Sequence, residues 1–144
     1  MKLNKIKSLF LEEFIKNSKT CVISSVDEEG FPQSRAMLGI RNNQGIQHFY
    51  FSTNTSSQKV QQFKKNEKAC LYFYNAKLFI GVMCIWTMEV SQKEEDKNLV
   101  RKQGDEMYYP GGFEDPDFCV LKFTTKKIRR YSNFKTDTFE ISDD

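Results

Sequence analysis

Apolar residues recur at Leu3, Ile6, Phe10 and Phe14, at spacings of three and four that share one helical face. The pattern predicts a helix over 3–17, packed by that face onto another element. The period then shortens to that of extended chain. TCVISSV (20–26) is β-branched and precedes the turn DEEG. QSRAMLGIR (33–41) predicts a second strand, NNQG a turn, and IQHFYFS (46–52) a third strand. Gly-containing connections of this length predict hairpins. Ser57 is placed to cap a short helix over 57–65, with Val60 and Phe63 on its buried face. ACLYFY (69–74) and LFIGVMCIWTMEV (78–90) predict strands four and five. By length the latter also suits a buried helix, but Ile, Val, Thr and Trp after the turn NAK favour a strand. A charged helix is expected near 93–103, and MYYPGGFEDPD (107–117) reads as a loop. FCVLKFT (118–124) predicts a sixth strand, which IRRYS (128–132) extends or ends. Phe139 and Ile141 form one short apolar group in the tail.

Six strands at hairpin spacing, with few helices, predict a mainly β fold: a small antiparallel barrel with helical additions. Parallel strands need crossover helices, and strands one to three have none. No repeat, low-complexity linker or boundary divides residues 1–144, so one domain is expected.

Composition narrows the function classes. A net charge of +3, spread along the chain, suits a solvated surface and does not by itself point to nucleic acid. Phe49, Phe51, Tyr72 and Tyr74 would be the stacking surface of a single-strand binder. Their period-two spacing instead predicts that they face inward together. Cys21, Cys70, Cys84 and Cys119 lie in or beside apolar runs and form no C-x-x-C pair. They read as buried free thiols in a reducing compartment. His48 is the one histidine, so no metal site is expected. It reads as a packed or rim residue rather than a base. Charge interrupts the first residues, so no leader is expected. No run approaches the roughly 20 apolar residues of a membrane span. A cytoplasmic protein is expected.

The most informative stretch is FSTNTSSQKVQQFKKN (51–66). Five small polar residues, Ser52 to Ser56, lead into a helix whose first turn holds Lys59 and no acid. Helix starts are electropositive, so a lysine there is mildly unfavourable unless an anion sits beside it. A phosphate would supply that anion, with donors from backbone N–H groups and the hydroxyls of Thr53, Thr55, Ser56 and Ser57. Arg35, on a neighbouring strand, offers a planar fork suited to phosphate oxygens. No G-x-x-x-x-G-K-[ST] motif is present, so a single phosphomonoester fits better than a nucleoside triphosphate. An ordinary N-cap and a solvated lysine would explain the same residues without a ligand. The carboxylates Glu12-Glu13, Asp27-Glu28-Glu29 and Glu94-Glu95-Asp96 read as solvated, and no catalytic acid or base stands out. Lys126, Lys127, Arg129 and Arg130 read as a charge-protected edge strand.

The order of these segments resembles the pyridoxamine 5'-phosphate oxidase family, the FMN-binding split barrels. The matching features are an N-terminal helix, Gly30-Phe31-Pro32, Arg35-Ala36-Met37-Leu38, FYFSTN and Ser57-Gln58-Lys59. YYPGGFEDPDFCVLKF resembles the corresponding region of short bacterial members. The resemblance implies a six-stranded antiparallel split barrel of Greek-key type. It also implies a homodimer with FMN at the subunit interface. Arg35, Ala36, Met37 and Leu38 would then lie along the flavin and its ribityl chain. Ser52 and Thr53 would touch the ring edge or the chain. Ser57, Gln58 and Lys59, with Arg35, would hold the phosphate.

The resemblance has departures. Related oxidases often have a glutamine, reaching the flavin from the partner subunit, where this chain has Gly81. They often have a glycine where it has Trp86, which is expected to fill dimer core rather than stack near the ring. The oxidases proper carry a further C-terminal region for the pyridoxal substrate, so family membership does not imply their reaction. Tyr108, Tyr109, Phe113 and Gly111-Gly112 would suit either a lid or an ordinary surface loop. The expected function is an FMN-dependent oxidoreductase acting by flavin hydride transfer on a small molecule. The alternative is a flavin- or haem-binding protein of storage or sensing, without turnover.

Overall fold

A computed structural model describes residues 2–101 and 114–142. Tyr108, Tyr109, Gly111, Gly112 and Phe113, with most of the expected 107–117 loop, therefore lie outside the described residues. Helix α1 spans Lys5–Lys16, with the Asn4 side chain accepting from the Lys7 amide as its N-cap. Its core face differs from the predicted stripe. Leu11 and Ile15 are buried, Leu3 and Phe14 pack partly against them, and Ile6 and Phe10 are 68% and 70% exposed. Apolar residues occupy most of this helix's circumference, so periodicity alone does not select one face.

Strands β1 (Thr20–Val26) and β2 (Pro32–Leu38) form the predicted hairpin. The Asp27 carboxylate closes its turn, accepting from the Glu29 and Phe31 amides and from the Gln33 side chain. The second predicted hairpin is displaced. NNQG is not the turn but the short strand β3 (Asn42–Gln44), which pairs with β4 (His48–Asn54). Gly45 makes the turn, at a φ of 55° that other residues adopt at a cost. Helix α2 (Gln58–Lys65) buries Val60 and Phe63, as their spacing predicts. β5 (Lys68–Asn75) and β6 (Ile80–Ser91) follow, so the long apolar run is a strand. α3 covers Glu94–Val100. Its Asp96 is buried rather than solvated, because the Ser91 hydroxyl donates to it at 2.6 Å.

Among the described residues the strand count is eight, not six. β7 runs through IRRYS as one strand, Phe118–Ser132, and the tail forms β8, Lys135–Glu140. They join through Asn133 and Phe134 at φ 52° and 64°, the tight turn whose twist suits a hairpin. The basic segment is consequently not an edge: β6 and β8 flank it, and Arg130 pairs with Asp137 at 3.0 Å.

All described pairings are antiparallel, in the order β2-β1-β5-β6-β7-β4-β3 with β8 on β7. β2 and β3 end that path, yet only residues 39–41 separate them in sequence. The sheet must therefore curl until its two edges approach, without a ladder closing it. This is the split barrel. Gly39 lies at the seam, where a β-carbon would come within 2.3 Å of the Ser18 carbonyl oxygen. Inside, Phe49 packs against Phe73 and Phe123 at ring separations of 6.3 and 6.5 Å. Phe49 and Phe51 are buried as predicted, but Tyr72 and Tyr74 face outward. On β5 the inward row is Ala69, Leu71 and Phe73, one residue out of step with the tyrosines. Cys21, Cys84 and Cys119 are buried thiols, while Cys70 is half-buried. No described helix is long and apolar enough to cross a membrane.

Candidate functional site

β2 alternates, with Gln33, Arg35 and Met37 partly covered and Ser34, Ala36 and Leu38 exposed. Met37 packs on the core. Arg35, on the same side, reaches toward α2. Among the described residues β2 pairs only with β1, so alternate backbone N–H and C=O groups along 35–38 have no strand partner there. Ala36 and Leu38 line this free edge without contributing a polar group.

The Arg35 guanidinium is held by three neutral acceptors. Nη1 donates to the Ile23 carbonyl at 3.3 Å and the Ser25 hydroxyl at 2.9 Å, and Nη2 donates to Gln62 Oε1 at 3.1 Å. The Ser25 hydroxyl in turn donates to Gln62 Oε1. Lys59 stands on the first turn of α2. Burial and then the Arg35 guanidinium hold its ammonium below the ordinary lysine range, opposed by the Cys119 thiol. Burial likewise lowers the Arg35 guanidinium. Among the described residues neither cation has a carboxylate partner. Two like charges, partly desolvated and facing one another, form a strong attractive field for an anion.

Ser57 is the N-cap by position, but its hydroxyl makes no capping bond. Its Oγ is buried and has no partner. No acid occupies the first turn of α2. Ser52 and Thr53 close β4, and Thr53 lies opposite Cys119, the thiol that also faces Lys59. The structure thus brings Arg35, Ser57 and Lys59 toward one locus, with Thr53 nearby.

Three observations bear on the expected set of donors. Thr55 and Ser56 are not available to a phosphate, because Asp117 binds them. Its carboxylate accepts from the Thr55 hydroxyl at 2.8 Å, the Ser56 amide at 3.0 Å and Asn54 Nδ2 at 2.9 Å. Those bonds hold the Asp117 carboxyl below its ordinary range. Gln58 is exposed and lines, with Gln62, a cleft of about 590 Å³ between α2 and the Asp27–Glu29 turn. Asp27, Glu28 and Glu29 line its turn side, and Lys65 of α2 pairs with Glu28 there. Finally, the network contains Ser25 and Gln62, which the sequence reading missed. Ser25 falls in the inward row Cys21, Ile23, Ser25, where a polar residue needs a partner. Gln62 lies three residues after Lys59, on the same helical face.

Beside this network, Ser25 also lines a mainly apolar cleft of about 650 Å³ with Pro32, Ala69, Ile85 and Trp86. Trp86 adjoins a register shift in β6 and is 50% exposed. His48 is half-buried, with Nδ1 3.2 Å from the Thr124 hydroxyl. No cluster of metal-ligating side chains occurs among the described residues.

Comparison with known proteins agrees with this architecture. The family model for pyridoxamine 5'-phosphate oxidase matches residues 10–132. A pyridoxine/pyridoxamine 5'-phosphate oxidase of Legionella pneumophila is 45% identical over 62 residues, 41% of this chain and 27% of that protein. The match thus spans about a quarter of the oxidase. A Clostridium acetobutylicum protein related to general stress protein 26 of B. subtilis, of the pyridoxinephosphate oxidase family, superposes with a TM-score of 0.85. It is 34% identical, over 96% of this chain and 97% of its own. A heme binding protein from Mycobacterium smegmatis shares the fold at a TM-score of 0.72, with 12% identity over 90% of this chain and 57% of its own. The chain belongs to the pyridoxamine 5'-phosphate oxidase family.

Proposed function

We propose that this protein is a cytoplasmic FMN-binding flavoprotein, a homodimer with a flavin at each subunit interface, and an oxidoreductase. The observation that carries the reading is the pair Arg35 and Lys59, two partly buried cations with no carboxylate partner among the described residues. Their field suits a phosphomonoester dianion. The orphaned Ser57 hydroxyl and the acid-free start of α2 add donors at the same place. The free backbone edge along 35–38 can bond the polar rim of a planar ring, while Ala36 and Leu38 shield it from water. Ser52 and Thr53, near the end of β4, would meet the ribityl chain.

When bound, FMN supplies two-electron hydride transfer to or from a small-molecule substrate or donor. The chain's part is to bind, orient and exclude water. No described side chain at the locus is placed as an acid or base, which suits a cofactor that carries the chemistry. Outward-facing Leu38, Tyr72, Tyr74 and Trp86 offer apolar area to a second copy. Free thiols suit the reducing cytoplasm.

The test is to identify the molecule that copurifies with the full chain, by absorbance and mass spectrometry. FMN, bleached by a nicotinamide donor and reoxidised by a substrate, supports the reading. Bound FMN with no such turnover leaves a storage or sensing protein. A haem spectrum without flavin overturns the assignment.

A further inference from the structure

We propose that Gln62, together with Ser25, is a positioning residue that sets which edge of the Arg35 guanidinium faces a phosphomonoester. The inference rests on the reading of Arg35 and Lys59 as a phosphate pair and adds the device that aims it.

A guanidinium has five N–H donors. The three bonds to Ile23, Ser25 and Gln62 use both on Nη1 and one on Nη2. Ser25 and Gln62 also bond each other, so the three side chains close a ring of hydrogen bonds. That ring occupies the end of the fork between Nη1 and Nη2. The donors left over are Nε–H and the second N–H of Nη2, which lie side by side along one edge of the guanidinium. Such an edge matches two oxygens of one phosphate. The acceptors that fix it are a carbonyl, a hydroxyl and a carboxamide. None neutralises the cation, as an aspartate or glutamate would. Gln62 sits on α2 with Lys59, so one helix carries the ammonium and also orients the arginine of another element.

A purely structural Gln62 would only tie α2 to the β1–β2 hairpin. The two roles separate in the ratio of FMN to riboflavin affinity, since riboflavin lacks the phosphate. Dissociation constants for both flavins are measured on the full chain by flavin fluorescence quenching. The variants are Gln62→Leu, Gln62→Glu and, as control, Arg35→Ala with Lys59→Ala. The proposal predicts that Gln62→Leu weakens FMN about tenfold and changes riboflavin less than twofold. Gln62→Glu, which keeps an acceptor but cancels charge, should lower the FMN preference at least as far. If Gln62→Leu weakens both flavins equally, or neither, the positioning role is overturned. If Gln62→Leu does not fold, Gln62→Glu decides, and an unchanged preference there overturns the role. If the double alanine variant keeps the FMN preference, the phosphate reading itself fails, independently of Gln62.

Discussion

At the scale of single residues, the central feature is a charge arrangement that lowers the proton affinity of its own members. Burial and Arg35 hold the Lys59 ammonium below the ordinary lysine range. Without ligand, folding therefore disfavours protonated Lys59. That penalty is fully present at pH values below the folded pKa. It is relieved as pH rises from there toward the unfolded value of about 10.4. A bound dianion reverses the preference and favours the ammonium. FMN affinity should accordingly fall as pH rises through the lowered Lys59 value, and Lys59→Met should abolish that alkaline limb. Riboflavin should show no such limb in either protein. Titrations across neutral to alkaline pH check this, and an alkaline limb that survives in Lys59→Met refutes it. Arg35, Ser57 and Lys59 were visible as candidates in the sequence because an anion would give all three one role. Ser25 and Gln62 were not, because a neutral polar residue declares its role only through its partner. Thr55 and Ser56 were misread for the same reason. Their anion is Asp117, 62 residues after Thr55 in sequence and beside it in space.

At the scale of elements, the apolar pattern located the three described helices and the long central strands. It failed where two neighbouring segments had to be divided. NNQG is rich in turn formers, yet it is β3, and the turn falls one step later at Gly45. β8 carries only Phe139 as a buried apolar residue, so its alternation is too weak to declare a strand. Pairing with β7 makes it one. Asp117 ties the 54–56 turn to the start of β7, fixing the approach to α2. Hydrogen bonds from Thr55 and Ser56 depress its carboxyl. The tie is thus complete above the unfolded aspartate value of about 3.9 and is released as pH falls through the depressed folded value. Asp117→Ala should speed amide exchange at Ser56 and in the first turn of α2, leaving β6 protected. Hydrogen-exchange mass spectrometry measures this directly, and unchanged exchange in that segment rules out the role. The same variant should weaken FMN, since the α2 start would be less well placed.

At the scale of the whole molecule, a three-residue connection joins the two ends of the strand path and forces the curl. Sequence reading reached the barrel and its antiparallel sense, because hairpin spacing is a local property. It did not reach the outward tyrosines, since period two tells which residues share a face but not which face is inside. Those tyrosines, with Leu38 and Trp86, form outward apolar area on the chain. Paired Leu38→Glu and Trp86→Glu substitutions should convert a dimer to a monomer in sedimentation velocity, with loss of flavin. A monomeric wild-type protein that retains flavin would refute the interface. The most direct test of the central claim is a crystal structure of the FMN-loaded chain. The account predicts the phosphate with Arg35 and Lys59 each about 3 Å from one of its oxygens, at the start of α2. A phosphate bound elsewhere, with both side chains turned to solvent, would contradict it.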